Sequence, residues 1–93
     1  MKYELIIKPH AELDLQESAL WYESQKEGLG MRFIEAVEDK IVAVQQNPLQ
    51  YQLKHKNTRL ALIKRFPYAI HFSLDKEKIF VLAILSTHRN PKI

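Results

Sequence analysis

The chain has 93 residues, a hydrophobic fraction of 46% and no cysteine. A chain of this size supports one core that hides roughly 60–70% of its unfolded surface, so a single domain over residues 1–93 is expected. Without cysteine there is no disulfide framework and no thiolate chemistry, and no apolar run is long enough for a signal peptide or a membrane span, which makes the cytoplasm the expected compartment.

The formal net charge of +3 conceals a polarity. Residues 1–39 hold nine acids against four Lys or Arg, net −5, whereas residues 40–93 hold two acids against ten, net +8. No acid lies between Asp39 and Asp75, but Lys40, Lys54, Lys56, Arg59, Lys64 and Arg65 do. Any one of these lysines reads as an ordinary solvated side chain. The window as a unit reads as a field that attracts phosphates or an acidic protein.

Tyr3, Leu5 and Ile7 alternate with Lys2, Glu4 and Lys8, the period of a half-buried strand. Pro9 ends it and suits the first turn of a helix, where Glu12 and Asp14 complement the positive end of the dipole. Ala11, Leu15, Ala19 and Tyr22 recur at helical spacing and mark the core side, while Leu13, Leu20 and Trp21 form a second apolar edge. The rings of Trp21 and Tyr22 read as packing at the end of an amphipathic helix in preference to a platform for stacked bases. Gly28-Leu29-Gly30 allows a tight reversal into a second helix, whose core positions are Phe33, Val37, Ile41 and Val44. Asn47-Pro48 stops that helix, and residues 49–57, which show no periodicity, read as a loop.

The segment from Arg59 to Phe72 reads as two strands joined at Pro67, which fixes its own φ and pushes Phe66 toward extended geometry. Tyr68, Ile70, Phe72 and Leu74 alternate onto one face, and His71 falls on the other with Ala69 and Ser73, either half-exposed or facing a ligand. Lys78 to Leu85 reads as a strand buried on both faces that delivers Ser86-Thr87-His88-Arg89-Asn90-Pro91 to its end. The expected fold is α+β: a helical hairpin packed on a twisted antiparallel sheet, in the order β-α-α-β-β-β.

The four histidines show neither metal-ligand pairing nor cysteine neighbours, and no Gly-rich phosphate loop follows a strand, so neither a metal nor a cofactor is expected. His88-Arg89 reads either as a rigid projection from the strand end or as a solvated tail. Arg59, Arg65 and Arg89 sit on neighbouring strands of a meander, and their guanidinium forks suit phosphate and carboxylate equally.

The order and spacing of Tyr3-Glu4-Leu5-Ile6-Ile7, Trp21-Tyr22, Gly28-Leu29-Gly30, Arg32-Phe33, Asn47-Pro48, Phe66-Pro67-Tyr68-Ala69-Ile70 and His88-Arg89-Asn90-Pro91 resemble the RelE/ParE toxins of type II toxin–antitoxin, plasmid stabilisation-like modules. The resemblance implies one of two activities: ribosome-dependent cleavage of messenger RNA in the RelE branch, or inhibition of DNA gyrase by a non-enzyme in the ParE branch. Cleavage through the 2′-hydroxyl needs a base, an acid and cations around the phosphate. RelE-like ribonucleases carry alternate lysines and an arginine where this chain has Leu60, Leu62 and Ala69, and a C-terminal tyrosine that this chain lacks.

The resemblance therefore favours a ParE-like gyrase inhibitor that acts by protein–protein contact. The alternatives are a ribonuclease acting on the ribosome and mRNA, using His88 as proton donor or acceptor with Arg89, Arg65 and Arg59 as a phosphate clamp, and an antitoxin-binding homologue without toxicity. It also implies a cognate antitoxin and a toxin–antitoxin hetero-oligomer, in which a partly disordered antitoxin segment folds along a sheet edge or in the groove beside the helical hairpin. Arg59, Lys64, Arg65, His71 and Arg89 are the expected partner-binding residues.

Overall fold

A computed structural model describes residues 3–88. It comprises β1 (Glu4–Ile7), α1 (Pro9–Gln25), α2 (Leu29–Gln46), a 3-10 turn (Pro48–Gln50), β2 (Leu53–His55), β3 (Thr58–Leu62), β4 (Tyr68–Asp75) and β5 (Lys78–Ser86). Pro9 opens α1, where its missing N–H costs nothing and its fixed φ is already helical. Among the described residues, no helix is long and apolar enough to cross a membrane.

The five strands form one mixed sheet in the order β1-β5-β4-β3-β2, with β1 parallel to β5 and the other pairs antiparallel. The α+β fold, a helical hairpin packed on a sheet, is the one expected, and two details of the sheet differ. Residues 49–57 contain a 3-10 turn and strand β2, so a fourth antiparallel strand extends the order to β-α-α-β-β-β-β. The sheet is not wholly antiparallel, because β1 lies beside β5 and runs in its direction, Leu5 opposite Ile79 and Ile7 opposite Val81.

Pairing aligns Ala61, Ile70 and Ile84 across three strands, with Phe72 opposite Val81 and Leu74 opposite Ile79. These residues pack against Ala11, Ala19, Phe33, Val37, Ile41 and Val44 of the helices. The alternation of β5 is broken between Val81 and Ile84: His71 pairs with Ala83 but Phe72 with Val81, so Leu82 is a bulge residue. The extra residue returns Ile84 to the core face. It also explains why β5 reads as doubly buried in sequence, whereas only Ile79, Val81 and Ile84 are buried and Leu85 is 43% exposed.

The helices meet closely at Gly30, where a Cβ would lie 2.6 Å from the carbonyl oxygen of Ala19. Gly28 makes the reversal at φ 88°, in the left-handed region that side chains avoid. The Glu23 carboxylate spans this junction, accepting the N–H of Gly28 at 3.0 Å and of Gly30 at 2.9 Å. It thereby satisfies two donors at the start of α2, and those two bonds hold its pKa below the usual carboxylate range.

Because the folded pKa is the depressed one, the stabilisation is fully present above the ordinary carboxylate range and is lost as pH falls through the folded value. Glu23→Gln keeps one acceptor oxygen and loses the other. It is expected to lower the melting temperature at neutral pH and to flatten its decline on acidification. A melting series across pH checks this, and parallel curves for the variant and wild type would remove Glu23 from the junction's account.

Candidate functional site

The face of the sheet away from the core is built by the intervening residues. Leu60 stands opposite His71 and Ala83, and Leu62 opposite Ala69 and Leu85. Leu62 is 63% exposed, so this face presents apolar surface to solvent. Its edge is bordered by α1: β1 stops pairing at Val81, and the Asp14 Oδ2 accepts the N–H of Ile84 at 3.0 Å, replacing the missing strand partner. Asp14 Oδ1 lies 3.7 Å from His10 Nε2.

A cleft of about 510 Å³ runs between this edge and β2. Asp14, Glu17 and Ser18 form one wall, Lys54 stands on the other side, and Leu60, Ala69, His71, Leu85 and Ser86 are among the residues between them. Burial lowers the His71 pKa first, Lys54 adds to the effect, and Asp14 opposes it. His71 is therefore neutral at pH 7 and adds no charge to the floor.

A second, larger groove of about 910 Å³ lies between α2 and the β3–β4 turn. Tyr22, Leu29, Ala36, Ala43, Phe66 and Pro67 give it apolar surface, and its charged groups are Arg32, Lys40, Lys64 and Arg65 against Glu35 and Asp39. Among the described residues, no Lys or Arg lies within 4.0 Å of a carboxylate, so these four cations have no ion-pair partner there. Arg65 holds φ 73°, a left-handed conformation that a non-glycine residue adopts at a cost of about 1–2 kcal/mol. Ring contacts lock the turn that carries it: Phe66 lies 5.0 Å from Tyr22 and 5.2 Å from Phe33. Burial, and then the neighbouring Tyr68, raise the Tyr22 pKa, so its phenol stays protonated.

The structure separates the residues that the sequence grouped. Lys64 and Arg65 line the α2 groove, and His71 lines the open-face cleft. Arg59 lines neither, because its Nη1 donates to the Tyr51 carbonyl at 2.6 Å and ties the 3-10 turn to β3. His88 is exposed at the end of β5, with its backbone N–H 3.2 Å from Ser86 Oγ, and lines neither cleft. Arg89 lies outside the described residues. Arg32, Asp14 and Glu17 are not among the site residues expected from sequence: Asp14 reads there as a helix-dipole partner and Arg32 as part of a family block, and only the packing shows which groove they rim.

The profile of the family described as ParE toxin of type II toxin-antitoxin system, parDE, matches residues 5–91. No curated protein matches the chain in sequence. Among solved structures, the chromosomal ParDE TA system from P. aeruginosa superposes with a TM-score of 0.84 at 16% identity, covering 94% of this chain and 98% of that one. At that identity the likeness speaks for the fold.

Proposed function

The chain belongs to the ParE toxin family of type II toxin–antitoxin systems, and from that premise we propose that it inhibits DNA gyrase by protein–protein contact and is neutralised by a cognate antitoxin. The observation that carries the target reading is the open sheet face, where Leu60, Leu62, Ala69, Ala83 and Leu85 lie side by side on three strands. Cleavage of RNA needs cations at the phosphate and groups that move protons. The aligned leucines and alanines supply neither; His71, paired with Leu60 and Ala83, is the one titratable side chain among them, and the exposed Leu62 and Leu85 mark a contact with another protein.

Two of the neutralising contacts are assigned to the α2 groove, where Lys64 and Arg65 stand beside Arg32 and Lys40 over apolar side chains. Such a surface suits an acidic amphipathic segment that folds as it binds. The proposed hetero-oligomer follows from that contact.

Purified protein is expected to inhibit gyrase supercoiling, to leave translated message intact, and to keep its activity in His88→Ala. Site-specific cleavage of message on the ribosome, abolished by His88→Ala, would establish the ribonuclease instead. Activity in neither assay alongside tight antitoxin binding would identify a homologue without toxicity.

A further inference from the structure

His10, Asp14, Glu17 and Trp21 recur at i, i+4, i+7 and i+11 of α1 and so share one side of that helix. Asp14 and Glu17 on this side form a wall of the open-face cleft, and Trp21 stands one turn beyond with 56% of its surface exposed. Glu17 is exposed and, among the described residues, has no cation within 4.0 Å. The cleft floor between the walls holds Leu60, Ala69 and Leu85 beside the neutral His71 and Ser86, and the opposite wall carries Lys54.

We infer that the open-face cleft takes a target segment in which an apolar side chain is flanked by a lysine or arginine, with that cation seated against α1 between Glu17 and Trp21. The carboxylates attract it, the indole face adds a cation–π contact, and Lys54 repels it from the far wall, which sets the direction of the segment. The chemistry is the reverse of the α2 groove. An acidic antitoxin segment and a basic target segment are therefore sorted to different surfaces by charge, and neutralisation need not involve competition for one site. The inference rests on the gyrase reading only for the identity of the partner.

Trp21 is the only tryptophan, so intrinsic fluorescence reports on this wall. The probes are two short synthetic peptides that differ only in carrying Lys or Glu between leucines. The Lys peptide is expected to change Trp21 fluorescence saturably and to bind about tenfold more tightly than the Glu peptide. Glu17→Lys should remove most of that preference and Lys54→Glu should strengthen it. Glu38→Lys makes the same change in net charge at an exposed position in neither cleft, and should leave most of the preference intact.

Equal affinity for the two peptides, or equal losses in Glu17→Lys and Glu38→Lys, overturns the inference. Supercoiling assays on the same proteins separate it from the reading on which it rests. A wild type that prefers the Lys peptide but spares gyrase removes gyrase and keeps the cleft chemistry. A wild type that inhibits gyrase, with Glu17→Lys inhibiting as well as Glu38→Lys, keeps gyrase and removes the cleft as its contact.

Discussion

Phe33→Ala is expected to destabilise the fold by about 3–5 kcal/mol, a large part of the total for a domain whose whole stability is about 5–15 kcal/mol. Phe33 is fully buried, and its ring lies 5.1 Å from Tyr22, 5.2 Å from Phe66 and 4.9 Å from Tyr68. Those three partners come from α1, the β3–β4 turn and β4, so the ring ties the helical hairpin to the sheet at the point where the turn carrying Lys64 and Arg65 is held. Truncation removes the buried area, the edge-to-face contacts and the support of that turn together. Thermal unfolding should shift downward by about 4–8 °C for each kcal/mol lost. Phe33→Leu should recover much of the loss, because it fills most of the volume while forgoing the aromatic geometry. A shift of only a few degrees in Phe33→Ala would mean that the aromatic cluster collapses into the space and is not the tie described.

The helical hairpin was legible because its signals are local: Phe33, Val37, Ile41 and Val44 follow helical spacing, and all four are buried. The β3–β4 hairpin was legible for the same reason, through Pro67 and the alternation of Tyr68 to Leu74. β2 was not. Leu53-Lys54-His55 is wholly exposed, spans three residues and pairs with a register shift, so it shows no period to read. Its pairing depends on β3 already being in place and on the Arg59–Tyr51 link, which are long-range facts. The parallel β1–β5 contact is hidden likewise, since strand period reports burial and not direction.

The site divides along the same line. Lys64 and Arg65 could be named from a charge count, because an acid-free window is visible in the chain. That Arg32 joins them across the groove, that one Arg59 nitrogen donates to a backbone carbonyl, and that Asp14 replaces a strand partner for Ile84 all depend on how distant segments pack. The bulge at Leu82 shows the limit most directly. Two apolar parities in one segment describe either a doubly buried strand or one strand that changes face midway, and only cross-strand register tells them apart.

Arg65→Gly is expected to weaken binding of the cognate antitoxin by at least tenfold while leaving the fold nearly as stable as before. Arg65 sits at φ 73° in the turn between β3 and β4, with its side chain lining the α2 groove. Glycine adopts that φ without a steric penalty, which recovers about 1–2 kcal/mol, while its greater freedom in the unfolded chain costs about 0.5–1 kcal/mol. The two nearly cancel, so glycine removes the guanidinium with less disturbance than alanine, which would keep the strain. Against an acidic partner the loss is larger, because removing one member of a desolvated charge pair costs about 2–5 kcal/mol. Lys56 and Lys76 hold the same left-handed region in the β2–β3 and β4–β5 turns, so the conformation is that of a turn and the expectation for Arg65 rests on its place in the α2 groove. Calorimetry across a salt series checks both halves: affinity should fall, and the dependence of log affinity on log salt should flatten as one charge contact is lost. Unchanged affinity and slope in a variant that melts like the wild type would show that the antitoxin does not use Arg65, and would move the neutralising contact away from this turn.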